Sequence, residues 1–197
     1  MENITKTLND NHPVDLVYLD FSKAFDKVPY RRLFKKLEAH GVGSQILGWI
    51  QDWLSNRRQR VGINDKFSDW QRVTSGVPQG SVLGPVLFLI YINDLDQDLV
   101  SKISKFADDT KLGKAVSTLE DCQSLQKDLD SLHNWSLEWQ MEFNADKCSI
   151  IHLGHNNLQY KYSLGDKDLN TSLCERDLGV VVDSSLKFSE HCNSVIK

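Results

Sequence analysis

Long apolar runs are missing from this chain. No stretch approaches the roughly 18 consecutive apolar residues that a membrane-spanning helix needs, and residues 1–13 are polar, without the apolar block of a secretory signal. The expectation is an intracellular protein, cytoplasmic or nuclear, neither secreted nor membrane-bound. Cysteine is sparse and scattered: Cys122, Cys148, Cys174 and Cys192 form no CxxC pair, which argues against a disulfide framework or a zinc module and leaves reduced thiols. Cys148, His152 and His155 have ligand-like spacing, but Ile150 and Ile151 between them read as a strand and no fourth ligand is evident, so zinc is set aside. Internal repeats and low-complexity linkers are also lacking. What remains is 197 residues at 40% hydrophobic composition, enough to bury a core in one domain or one domain with an appendage.

Positive charge is in deficit overall, with a net charge of −4, and that speaks against a polyanionic partner. The charge is segregated, however. Residues 23–72 hold 11 Lys or Arg against 5 Asp or Glu, while the rest of the chain holds 12 against 22. Arg31, Arg32, Lys35 and Lys36 fit the solvated face of a helix as well as they fit a phosphate-binding surface. The run Arg57, Arg58, Arg60 points more strongly to nucleic acid.

The local patterns predict an α+β domain. Val14–Asp20 is rich in β-branched and aromatic residues and reads as a buried strand ending on a carboxylate. Asp26 and Pro29 suit the start of a helix through Ala39, stopped by Gly41, with Asp26 as its cap. A second helix is expected over Ser44–Leu54. Arg60–Ile63 and Trp70–Thr74 form the arms of a hairpin around Asn64, Asp65 and Lys66, and Ser75–Gly84 is a loop. Val82–Tyr91 is almost wholly apolar and favours a buried helix over a strand. Lys102–Phe106 and Lys111–Ala115 flank a tight turn at Ala107, Asp108, Asp109 and Thr110. Leu119, Cys122, Leu125, Leu129, Leu132, Trp135 and Trp139 step by three and four residues, so Thr118–Met141 is an amphipathic helix. Short strands are expected at Ser149–Leu153, Tyr160–Leu164 and Gly179–Val182.

Phosphoryl transfer with two metal ions needs carboxylates that bridge cations roughly 3.5 to 4 Å apart. An Asp at one strand end and an Asp-Asp pair at the turn of a neighbouring hairpin supply such a set for a hard cation such as Mg²⁺. Alone, an Asp-Asp turn is weak evidence, because Asp favours turns in any protein. The order of segments is far more specific. Asp20-Phe21-Ser22-Lys23-Ala24-Phe25-Asp26, then Ser75-Gly76-Val77-Pro78-Gln79-Gly80-Ser81, then Phe106-Ala107-Asp108-Asp109 resemble motifs A, B and C of reverse transcriptases, of the jockey and CR1 kind of non-LTR retrotransposon (LINE). Trp139–Ser149 resembles motif D, and Leu178-Gly179-Val180 with Leu186-Lys187-Phe188 and His191 resembles the stretch that enters the thumb.

The resemblance implies a polymerase palm of reverse-transcriptase type, an antiparallel sheet backed by helices, over residues 14–155. Residues 1–13 would be a polar stub and 156–197 the end of the palm and the start of the thumb or connection. Fingers segments are expected to be largely missing and the thumb truncated. Asp20, Asp108 and Asp109 would be the catalytic carboxylates and ligands of two Mg²⁺, with Mn²⁺ as substitute, and Asp109 the less direct ligand. Phe25 would be the steric gate that selects deoxynucleotides, and Pro78, Gln79 and Gly80 would contact template and incoming nucleotide. Lys147 would protonate the departing pyrophosphate. The implied partners are an RNA template, a DNA primer and deoxynucleoside triphosphates. Two other readings remain: a catalytically inactive retroelement relic that folds and binds nucleic acid, and an Asp-based phosphohydrolase.

Overall fold

The computed structural model describes residues 2–187 and 189–196; Met1, Phe188 and Lys197 lie outside the described residues, so the Phe188 position of the thumb-like segment is not placed. In chain order the elements begin with α1 (Glu2–Asn9), β1 (Val14–Leu19), α2 (Ala24–Lys27), α3 (Tyr30–Ala39) and α4 (Ser44–Leu54). Four short strands follow, β2 (Arg58–Gln59), β3 (Gly62–Ile63), β4 (Lys66–Phe67) and β5 (Gln71–Arg72), and then α5 (Leu83–Tyr91). After a 3-10 turn at Asn93–Asp96 come β6 (Lys102–Phe106), β7 (Asp109–Ala115), α6 (Leu119–Trp139) and β8 (Ser149–Leu153). The chain continues through β9 (Ser163–Leu164), β10 (Lys167–Asp168), β11 (Asn170–Thr171), β12 (Cys174–Asp177), β13 (Val180–Asp183) and α7 (Ser189–Ile196).

These elements fall into two compact units. The first takes the chain up to Phe21, Asp96–Trp135 and everything from Phe143; the second takes Ser22–Leu95 and Ser136–Glu142. The first unit is built on a five-stranded sheet of order β11-β8-β1-β7-β6, antiparallel throughout except for the β11–β8 pair. Its central strand is β1, whose Val14, Leu16, Val17 and Leu19 are all buried, as an apolar run flanked on both edges should be. Val14 and Leu16 cluster with Ile151 and Leu153 of β8, and Ile4 and Leu8 of α1 pack against them. The N-terminal residues are therefore largely helical, where the sequence offered only polarity. Ile4 and Leu8 are one helical turn apart, too few apolar positions to register as a period.

Helix α6 begins in a reciprocal cap: Asp121 N–H donates to Thr118 Oγ1 (3.2 Å) and Thr118 N–H donates to Asp121 Oδ2 (2.9 Å). Cys122, Leu125, Leu129 and Leu132 then bury one stripe completely. Asp128, also buried, accepts the backbone N–H groups of Val100 (3.1 Å) and Ser101 (2.8 Å), tying the connection before β6 to the helix.

In the second unit α3 packs against α4 and α5. Pro29, with extended backbone, caps α3 without any side-chain hydrogen bond, so the expected Asp26 cap is not formed; Asp26 lies inside the single turn of α2. Nor is the charged face of α3 merely solvated. Lys36 is 4% exposed, donates to Tyr91 O and Asp94, and lies 3.8 Å from the centre of the Trp139 ring. Arg32 donates to Glu138 O (2.7 Å) and Gln140 Oε1 (2.6 Å). The hairpin after α4 has two short ladders rather than two continuous arms, β2 with β5 and β3 with β4. Asn64 and Asp65 at its tip both have positive φ (46° and 61°), the turn that suits the twist of paired strands. Of the strand expected over residues 160–164 only Ser163–Leu164 forms.

Candidate active site

Register decides where the carboxylates go. Leu19 of β1 pairs with Thr110 of β7, and the same antiparallel register carried one residue further sets Asp20 beside Asp109. Phe106 pairs with Asp109 across the β6–β7 hairpin, which leaves Ala107 and Asp108 as its two-residue turn, Ala107 in the left-handed region at φ 52°. Asp20 of motif A and Asp109 of motif C thus lie at the same end of the central sheet. On the other edge of β1, Tyr18 pairs with Ser149, which directs Asp20 toward Lys147. Asp20 is held by its backbone: its N–H donates to Cys148 Sγ (3.4 Å) and its C=O accepts from Asn144 N–H (2.7 Å). The Cys148 thiol is pushed up to about 11, chiefly by burial and also by the Asp20 charge, so it stays a thiol.

A cavity of about 320 Å³ opens at this sheet end, lined among others by Tyr18, Asp20, Asp109, Thr110, Lys147 and Asp177. Tyr18 OH, Asp20 Oδ2 and Thr110 Oγ1 are cut off from solvent and take no hydrogen bond among the described residues. Lys147 Nζ lies 3.3 Å from Asp20 Oδ2, an ion pair whose lysine is largely exposed. The Asp109 carboxyl is raised above its ordinary range, first by desolvation and then by the charges of Asp108, Asp177 and Asp20. Burial and the charges of Asp177 and Glu175 likewise raise the Tyr18 hydroxyl. Among the described residues no three His, Cys, Asp or Glu side chains stand close enough together to hold a metal ion as they are. The donor set nonetheless suits a hard cation, because it combines mutually repelling carboxylates with a buried carboxylate oxygen that takes no hydrogen bond and has the Lys147 ammonium 3.3 Å away.

The second unit carries the motif B loop, fastened to the end of motif A. Val77 N–H donates to Phe25 O (2.7 Å), Gly76 N–H to Val28 O (2.8 Å) and Ser75 Oγ to Asp26 O (2.8 Å). Gly76 is required here: its φ is +84° and a Cβ would lie 2.5 Å from Asp26 O. Gln79 Nε2 donates to Asp26 Oδ1 (3.1 Å), so the exposed Asp26 orients Gln79. Ser81 Oγ donates to Pro78 O (2.7 Å) and accepts Gly84 N–H (2.9 Å), joining the loop to α5. Phe25 is half-buried and stacks on Phe88 with centroids 4.6 Å apart. Arg57 donates to Gly76 O (2.6 Å) and Tyr30 OH (2.5 Å), and Tyr30 OH donates to Ser75 O (3.1 Å). Sequence reasoning missed Arg57 and Tyr30 as supports of the loop, because neither lies within a motif.

A central, mainly antiparallel sheet with one carboxylate at a strand end, one in the adjoining hairpin turn and one at the start of the strand that follows is the arrangement of a polynucleotide polymerase palm. The chain belongs to the reverse transcriptase (RNA-dependent DNA polymerase) family, whose model matches residues 5–182. It is 28% identical over 190 residues to the RNA-directed DNA polymerase from mobile element jockey of Drosophila melanogaster, covering 90% of this chain and 20% of that protein. The jockey polymerase of Drosophila funebris is 30% identical over 195 residues with the same coverage. The chain thus spans about a fifth of the length of these relatives. Among solved structures, a telomerase from Candida tropicalis in complex with a fragment of telomeric RNA superposes at a TM-score of 0.63 with 11% identity, covering 96% of this chain and 32% of that one. The apo telomerase from the same organism, truncated from its C-terminal domain, gives 0.55 at 14% identity, covering 86% and 37%. These likenesses carry the fold.

Proposed function

We propose that this chain is part of an RNA-directed DNA polymerase of a non-LTR retrotransposon, extending a DNA primer on an RNA template with deoxynucleoside triphosphates in the cytoplasm or nucleus. The observation that supports it most is the register of β1 against β7, which, carried one residue further, sets Asp20 beside Asp109, the residue that follows Asp108 of the hairpin turn. Asp20, Asp108 and Asp109 are the residues to hold Mg²⁺ or Mn²⁺. When bound, such ions polarise phosphate oxygens and lower the pKa of an attacking hydroxyl. Lys147, 3.3 Å from Asp20, is the residue to give a proton to the leaving pyrophosphate. Phe25, braced by Phe88, serves as the wall beneath the sugar, and Gln79, oriented by Asp26, as the contact to template or nucleotide. Primer extension on an RNA template is expected to vanish in Asp108→Ala and Asp20→Asn while the fold persists by circular dichroism. Extension unchanged in Asp108→Ala overturns this reading.

A second reading keeps the nucleic-acid contact that residues 23–72 suit, with 11 Lys or Arg against 5 Asp or Glu, and drops the catalysis. Here the chain is an inactive relic that retains nucleic-acid binding. Salt-sensitive RNA binding with no extension at any Mg²⁺ concentration supports it, and extension by the unaltered chain removes it.

A further inference from the structure

The hairpin between α4 and the motif B loop has an anomalous surface. Every residue from Arg58 to Arg72 is exposed, so the two short ladders have no core of their own. Yet the segment carries Val61, Ile63, Phe67 and Trp70, exposed by 64, 67, 60 and 55%. Exposed apolar side chains gathered in one short segment mark a binding surface more often than scattered ones do. The arginines sharpen this. The Arg60 guanidinium lies 3.9 Å from the Phe67 ring centre and 4.6 Å from that of Trp70, so it packs on both rings. Gly62 makes room for the Phe67 ring, since a Cβ there would come within 2.7 Å of it. Arg58 and Arg72 are direct cross-strand partners, a like-charge pairing that costs stability unless an anion lies between them.

We propose that this hairpin is a docking surface for single-stranded nucleic acid, with unpaired bases stacking on the exposed rings of Phe67 and Trp70 and the phosphate backbone lying along Arg58 and Arg72. Residues 57–72 hold five Lys or Arg against two Asp or Glu, the charge complement of a polyphosphate. Flat π-faces on an open hairpin suit splayed bases, whereas a duplex keeps its bases stacked on one another. The inference extends the polymerase reading to a contact on the unit that does not hold the carboxylates.

The test is fluorescence anisotropy of the full chain with labelled oligonucleotides of roughly 12 nucleotides, as single-stranded RNA, single-stranded DNA and duplex, at about 50 and 200 mM salt. Single strands bind more tightly than the duplex, and the better of RNA and DNA identifies the strand. Trp70→Ala weakens binding about tenfold or more with an unchanged melting curve, the loss expected for one stacked base. Arg58→Ala with Arg72→Ala lowers the logarithmic salt slope by about 1.4. Asp108→Ala retains the binding though it stops primer extension, so this proposal and the proposed activity fail separately. Tighter binding of the duplex, or single-strand binding unaltered in both hairpin variants, overturns the proposal. So does self-association of the chain that Trp70→Ala abolishes without any oligonucleotide binding, which assigns the patch to a protein contact.

Discussion

Asp15 is fully buried in the middle of β1, and three side chains from distant parts of the chain converge on its carboxylate: His152 Nδ1 (2.7 Å), Asn157 Nδ2 (2.8 Å) and Tyr162 OH (2.7 Å). Burial, followed by the Asp15 charge, raises the Tyr162 hydroxyl, so that hydroxyl keeps its proton and donates it to Asp15. Removing the carboxylate takes away the acceptor that all three donors share. Asp15→Ala is expected to cost about 3–5 kcal/mol and Asp15→Asn less, in urea denaturation followed by tryptophan fluorescence. A loss below about 1 kcal/mol for Asp15→Ala sinks the idea that this cluster anchors the sheet. None of it was legible in the sequence, where Asp15 reads as a polar interruption in an apolar strand and His152 as a weak zinc candidate. The partners lie 137 to 147 residues away along the chain, beyond any local pattern. Asp20 and Asp109, which the fold brings to one sheet end, each sit inside a short motif whose order along the chain is itself specific. Lys36 and Asp26 were misread for the same reason as Asp15: their roles depend on Trp139, Asp94 and Gln79, which only the tertiary fold brings to them.

The elements best read from sequence are those whose own periodicity matches their burial. Strand β1 and helix α6 are read within two residues of their ends, and the β6–β7 hairpin is read too, although its turn is Ala107 and Asp108 alone and β7 begins at Asp109 rather than Lys111. The short strands β9 to β12 were largely illegible, because two to four residues hold a strand only through a ladder supplied by another segment. The motif B loop lies between these cases: its glycines announce a turn, but what fixes its shape is Arg57. That guanidinium donates to Gly76 O and Tyr30 OH from one nitrogen, with its Nε 3.4 Å from Leu54 O. A lysine has a single ammonium and cannot reproduce a planar fork. Arg57→Lys is therefore expected to lower stability by about 1–2 kcal/mol and to open residues 75–80 to limited proteolysis. Unchanged cleavage there would show that the loop is set by Gly76 and Ser75 without the arginine.

At the scale of the whole molecule, charge follows the division into units. The unit bearing the hairpin and motif B loop holds 11 Lys or Arg against 8 Asp or Glu, whereas the unit bearing the carboxylates holds 12 against 19. A net charge of −4 thus conceals a basic and an acidic unit, which is why composition alone spoke against a polyanionic partner. The acidic excess has a thermodynamic consequence apart from catalysis. Carboxylates that repel one another in the folded chain, as Asp109 does with Asp108, Asp177 and Asp20, are farther apart when it unfolds, so a divalent cation binds the folded state preferentially. Preferential binding raises stability by about 1.4 kcal/mol when the free ion is at ten times its dissociation constant, and by more above that. The melting temperature of the unaltered chain is expected to rise steadily with Mg²⁺ and with Mn²⁺, and not with K⁺ at equal ionic strength. In Asp20→Asn and Asp108→Asn the rise should be largely lost, while the melting temperature without divalent ion stays level or increases because a repelling charge has gone. The same Mg²⁺-dependent rise in both variants as in the unaltered chain would place the cation elsewhere and leave the paired strand-end and hairpin-turn carboxylates without the ion that two-metal chemistry requires.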